Sequence, residues 1–173
     1  MWVMILDTYS QTIQEEGEGQ VFRAGGWKSL VPRLVRKWGN GLDAWRPRVL
    51  VAGDQETITH IQGLLGNEFC IIGRVDDGFD LLAAASEYSP DLIVTDLELP
   101  RLDGIEAAAR LRRSGNWIPL VILTPHDAPE LISEAMEAGA DGYVLRCDSG
   151  DELVLAARAV SKGHLFISHS CHF

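Results

Sequence analysis

The chain has 173 residues, 46% of them hydrophobic, and a formal net charge of −10. That length supports one full core and little more, so a single globular domain with an appendage is expected. The charge is uneven: residues 47–173 carry 9 Lys and Arg against 20 Asp and Glu, and residues 21–46 carry 6 against 1. An acidic main domain argues against direct nucleic-acid binding through its own surface.

Cys70, Cys147 and Cys171 are odd in number and lack a CxxC spacing, which indicates neither a disulfide framework nor a zinc ribbon. A reducing cytoplasm is the compartment this suggests. Met1 to Leu6 is apolar but runs at once into Asp7 without a basic start, so it fails as a signal peptide. No stretch approaches the roughly 20 apolar residues of a membrane span.

In chain order, residues 1–46 form an extension that holds four of the five tryptophans and shows no strand–helix alternation. Trp27, Leu30, Val31, Leu34, Val35 and Trp38 fall on one helical stripe, with Lys28, Arg33, Arg36 and Lys37 off it. The spacing predicts a short basic amphipathic helix, with Ser29 as N-cap and Gly39 as its end. Such a helix is expected to dock on the acidic domain or on a partner.

From Arg48 the pattern becomes regular. Val49 to Ala52, Cys70 to Val75, Leu92 to Thr95, Leu120 to Leu123 and Tyr143 to Leu145 read as five short apolar strands. Helical segments follow near Glu56 to Leu65, Phe79 to Tyr88, Gly104 to Arg113, Pro129 to Ala138 and Glu152 to Lys162. Asp103 before Glu106, Asp127 before Glu130 and Ser149 before Glu152 are capping signatures for the last three. This alternation predicts an α/β fold, a parallel sheet with helices on both faces. Residues 47–168 make the domain, and 169–173 are expected to be a flexible tail.

The strand ends collect polar groups. Asp54 follows the first strand, Asp96 the third, Thr124 the fourth and Arg146 the fifth, and in a parallel sheet all four converge at one edge, where ligands bind. Two carboxylates there suit Mg²⁺, and a hydroxyl with a cation suits an incoming phosphoryl group. The plainer alternative is that each residue merely ends a strand or caps a helix.

Residues 48 to about 168 resemble a response-regulator receiver domain of two-component signalling. The resemblance is carried by Val49-Leu-Val-Ala-Gly-Asp54, Thr95-Asp96-Leu-Glu-Leu-Pro100-Arg-Leu-Asp-Gly104 and Ala138-Gly-Ala-Asp-Gly-Tyr143-Val-Leu-Arg146. It is strongest to receivers that usually precede a helix-turn-helix DNA-binding domain. It implies a flavodoxin-like doubly wound sheet of five strands in the order 2-1-3-4-5. It also implies that Asp96 is the phosphoacceptor, that Asp54, Asp96 and the backbone carbonyl of Glu98 ligate Mg²⁺, that Thr124 is the switch hydroxyl and that Tyr143 is the switch aromatic. Arg146 stands in the place of the family's lysine.

Three positions depart from the family pattern. Gly53 replaces the first of two adjacent acids, so Mg²⁺ should bind less tightly. Arg146 puts a planar fork where a compact ammonium is usual. Pro125 removes a backbone N–H donor beside Thr124.

Two function classes follow. In one, a histidine kinase or phosphotransfer protein phosphorylates Asp96 and the change passes to a downstream protein partner, with a homodimer as one form of output. In the other, the chain is a phosphate-independent receiver-like interaction module. An enzyme is not expected, since Asp96-Leu-Glu98 differs from the Asp-x-Asp of aspartate-based phosphohydrolases. Because Gly163 to Phe173 is short of a DNA-reading module, a stand-alone or truncated receiver is expected.

Overall fold

A computed structural model describes residues 46–171. The expected basic amphipathic helix lies outside these residues. Six strands, β1 (Arg48–Ala52), β2 (Cys70–Val75), β3 (Leu92–Asp96), β4 (Leu120–Thr124), β5 (Gly142–Leu145) and β6 (Phe166–Ile167), form one sheet in the order β2-β1-β3-β4-β5-β6. Every pairing is parallel. Between them run α1 (Gln55–Leu65), α2 (Gly78–Tyr88), α3 (Gly104–Arg113), α4 (Pro129–Glu137) and α5 (Ser149–Val160). The expected α/β fold and the order of its first five strands are observed, and β6 extends the sheet.

Strand side chains alternate between faces, and this alternation builds two cores. Leu50, Ala52, Ile93, Ile122 and Tyr143 meet Leu81 of α2, Ala107, Ala108 and Leu111 of α3, and Ile132 and Ala135 of α4. Val49, Val51, Leu92, Val94, Val121, Leu123 and Val144 meet Ile58, Ile61 and Leu65 of α1 and Leu153, Ala156, Ala157 and Val160 of α5. Each fully buried Val, Leu or Ile contributes about 1.5–3 kcal/mol, so burial on both faces fixes the strand register.

Aspartate side chains cap three of the helices. Asp54 accepts from Thr57 N at 2.7 Å, Asp77 from Phe79 N at 2.8 Å, and Asp103 from Glu106 N at 2.8 Å. The capping expected at the last two helices is not what forms. The N-cap of α4 is Ala128, without a side-chain bond, because Pro129 already sets the first-turn backbone and has no donor to satisfy. The N-cap of α5 is Asp148, and Ser149 lies inside the helix, where its hydroxyl donates instead to the Arg146 carbonyl at 2.7 Å. With that proton committed, Ser149 Oγ accepts from His60 Nε2, also at 2.7 Å.

The end of the described chain is tied down where a flexible tail was expected. After Gly163, at φ +84°, the chain turns back along β5. Ser168 N donates to the Tyr143 carbonyl and Ser168 Oγ accepts from Leu145 N, both at 2.9 Å. His169 bonds Glu152 through its ring Nδ1, and Cys171 is buried in the core beside Tyr143. The β5 edge thus finds main-chain and hydroxyl partners that the sequence pattern of two apolar residues did not announce.

Candidate functional site

The C-terminal ends of β1, β3, β4 and β5 meet at one rim of the sheet. Asp54, Asp96, Glu98, Pro125 and Arg146 line a cleft of about 340 Å³ there. Asp96 is the last residue of β3 and only 6% exposed, since the strand that carries it is buried on both faces. Arg146 follows β5 directly and reaches across to it. Its Nη2 donates to Asp96 Oδ2 at 2.8 Å.

Asp96 has further partners. Thr57, buried on α1, donates through Oγ1 to the same Oδ2 at 3.2 Å, and Glu98 N lies 3.3 Å from Oδ1. Thr57 was not singled out from the sequence, and Gly53 explains its role. A Cβ at Gly53 would stand 2.8 Å from Thr57 Cγ2 and 3.6 Å from Asp96 Cβ, so the missing side chain leaves the room that the threonine fills. The readable signal was a glycine four residues before a β-branched hydroxyl on the first turn of the next helix.

Asp54 is exposed, but one carboxylate oxygen, Oδ1, is taken by the α1 cap. The Thr57 N–H on that oxygen holds the Asp54 carboxyl below its ordinary value. Glu98 turns its side chain to His126, with Oε1 2.9 Å from Nε2.

Thr124 and Tyr143 lie one layer behind the cleft. Thr124 Oγ1 accepts from His126 N at 3.2 Å, and Tyr143 OH donates to the His126 carbonyl at 2.8 Å. Both side chains are fully buried, and burial pushes the Tyr143 phenol up to about 12. Together they grip the backbone of His126, the second residue after β4.

The donors fit an oxyanion better than a divalent cation. Mg²⁺ wants free carboxylate oxygens in near-octahedral array. Here Asp96 Oδ2 already holds two donors, Asp54 Oδ1 holds one, and Gly53 supplies no acid. Among the described residues no three His, Cys, Asp or Glu side chains converge as metal ligands. Three buried polar atoms among the described residues lack a partner, Arg146 Nε, Asp148 Oδ2 and Glu152 Oε2, and the one on a residue lining the cleft is the donor, Arg146 Nε. An unmet N–H on a cation calls for an anion. The residues present therefore do not fit the metal that the resemblance implied.

A doubly wound parallel sheet with a buried acid at its carboxyl rim defines a flavodoxin-like α/β protein whose ligand end lies at β1, β3, β4 and β5. Residues 49–158 match the model of the response regulator receiver domain, and the chain belongs to that family of two-component signalling domains.

The chain is 35% identical over 119 residues to a transcriptional regulatory protein, YxjL, of Bacillus subtilis, covering 67% of this chain and 55% of that one. It is 33% identical over 124 residues to the response regulator GacA of Pseudomonas aeruginosa, covering 70% of this chain and 58% of that one. The chain thus spans little more than half the length of these curated relatives. Among solved structures it is similar to a LuxR-family two-component response regulator from Aurantimonas, at 27% identity and a TM-score of 0.69, covering 73% of this chain and 92% of that one. It is also similar to the receiver domain of NarL from Mycobacterium tuberculosis, at 27% identity and a TM-score of 0.63, covering 69% and 98% of the two chains. No helix among the described residues is long and apolar enough to cross a membrane.

Proposed function

We propose that this chain is a phosphoacceptor switch of a cytoplasmic two-component pathway. Asp96 receives a phosphoryl group from a histidine kinase or phosphotransfer protein, and the change passes to a downstream protein, a second copy of the chain being one candidate. The observation that carries this reading is the Asp96 carboxylate at the end of β3, facing an open cleft with a guanidinium on one of its oxygens. Phosphoryl transfer depends mainly on positioning and charge neutralisation, and Arg146 offers both. Receiver domains generally take Mg²⁺ with the phosphoryl group, but the donor set here supports no step routed through it.

Thr124 and Tyr143 are the relay in this reading. Both hold the His126 backbone, so a phosphoryl oxygen that draws the Thr124 hydroxyl towards the cleft pulls its oxygen away from the His126 N–H. The loop between β4 and α4 is then the element whose two arrangements the phosphate biases.

A second reading has its own observation. Asp96 is already neutralised by Arg146 and bonded by Thr57, and Tyr143 is already fully buried, so the same surface could serve a partner without any phosphate. Incubation with acetyl phosphate followed by intact-mass measurement separates the two. A single phosphoryl adduct that disappears in Asp96→Ala supports the switch. No adduct, together with unchanged partner binding by Asp96→Ala, leaves the phosphate-independent module.

A further inference from the structure

The cation in this site is part of the chain. Arg146 Nη2 sits 2.8 Å from Asp96 Oδ2, and the guanidinium borders the cleft shared with Asp54, the other carboxylate that would hold a metal. The guanidinium on Oδ2 and the Glu98 N–H 3.3 Å from Oδ1 leave neither Asp96 oxygen without a donor, and a divalent ion bound there would meet the repulsion of the guanidinium a few ångströms away. Thr57 occupies the space next to Gly53, where a further acid would add ligand charge. Three residues therefore act together: Gly53 removes an acid, Thr57 replaces it with a neutral donor, and Arg146 supplies a fixed positive charge.

We propose that Arg146 is the built-in counter-ion and oxyanion receptor of this site, and that the site is independent of divalent cations. This rests on the phosphoacceptor reading for its chemistry, but its binding half stands without it. A carboxylate oxygen of Asp96 forms the new bond to phosphorus, the bond from phosphorus to the acetate oxygen of acetyl phosphate breaks, and acetate leaves with the electron pair. No proton changes hands. The acyl phosphate then carries two negative charges where the carboxylate that Arg146 already touches carried one. Its Nε–H, which has no acceptor, and its Nη2–H then face phosphoryl oxygens in the forked geometry that suits guanidinium.

Two measurements on the full chain test this. In the first, Mg²⁺ is titrated to millimolar levels while the unfolding temperature and the binding heat are followed. The native protein should show neither shift nor heat, whereas Arg146→Ala, with Asp96 released from the guanidinium, should gain both. Gly53→Asp combined with Thr57→Ser, which adds the acid and removes the methyl that blocks its Cβ, should also move towards binding.

In the second, acetyl phosphate is supplied with a chelator or with Mg²⁺ and the adduct is counted by intact mass. The native rates should agree within about twofold, and Arg146→Ala in chelator should fall about tenfold or more, a factor worth 1.36 kcal/mol per decade. Native Mg²⁺ binding, or a native rate that drops about tenfold in chelator, overturns the counter-ion assignment while leaving Asp96 as acceptor. If no adduct forms under any condition, the switch reading falls instead. The Mg²⁺ titration of native protein against Arg146→Ala then decides the counter-ion assignment by itself.

Discussion

Arg112 on α3 and Asp141 before β5 are joined by a 2.9 Å bond from Nη2 to Oδ2, and that pair locks the rim of the sheet opposite the cleft. The same guanidinium donates to the carbonyls of Gly139, Asn116 and Ile118, while Asp141 Oδ2 also accepts from Leu120 N. Arg112 is only 9% exposed, and burial pulls its guanidinium below the ordinary arginine value. Arg112→Ala leaves three carbonyls and a carboxylate short of donors, a loss of about 3 kcal/mol. A urea-unfolding free energy lowered by that amount is the expected result, and a value within experimental error of the native one would show the pair to be ornamental.

Glycines at two positions should behave oppositely. A Cβ on Gly78 would lie 1.9 Å from the Leu102 carbonyl oxygen, backbone that cannot step aside without moving the loop before α3. Gly78→Ala is expected to cost about 3 kcal/mol, at the upper end for overpacking. Gly63, on the exposed side of α1, has nothing within 4 Å of its Cβ. Gly63→Ala should raise stability by about 0.5–1 kcal/mol through helix propensity alone. Thermal unfolding of both variants checks the contrast, and equal shifts would refute it.

Acid should loosen the Asp77 cap. The Arg101 side chain, and after it the Phe79 and Asp80 backbone donors, hold the Asp77 carboxyl below its ordinary 3.8. A carboxyl lowered in the folded state contributes stability that is complete above 3.8 and is lost as pH falls through the lowered folded value. Unfolding temperature should therefore drop as pH falls from 3.8 through the lowered value, and Asp77→Asn should flatten the acid limb. A variant whose acid limb overlays the native one would rule out Asp77 as a contributor.

Ser168 is a small residue with two jobs at the β5 edge, accepting from Leu145 N and donating its own N–H to Tyr143. Ser168→Ala keeps the main-chain bond and orphans the buried Leu145 N–H, at about 1–3 kcal/mol. Amide exchange at Leu145 should quicken in the variant while β3 amides hold. Unchanged exchange at Leu145 would mean that the hydroxyl is not its partner.

Much of this architecture was readable in advance, because Leu92 to Thr95 and Leu120 to Leu123 are apolar on both faces and can only be interior strands of a covered sheet. The strand-end residues followed from that, since a parallel sheet sends every C-terminus to one rim. Thr57 was not readable, because its reach to Asp96 depends on an absence at Gly53 and not on a pattern of its own. The Ser149 cap failed for a related reason: a carbonyl at Arg146 and a ring nitrogen at His60 outcompeted the helix backbone for the hydroxyl. Phe166–Ile167 is too short to show any period, so the sixth strand came from hydrogen bonding that only three-dimensional placement reveals.

The order β2-β1-β3-β4-β5-β6 also has a consequence for how the molecule is made. Once β1 and β2 have paired, β3 joins the free side of β1, and every later strand attaches to the edge that its predecessor has just created. Growth from β3 to β6 therefore follows the direction of translation, and no strand has to wait for one synthesised after it. A chain emerging from the ribosome can lay down this half of the sheet one edge at a time.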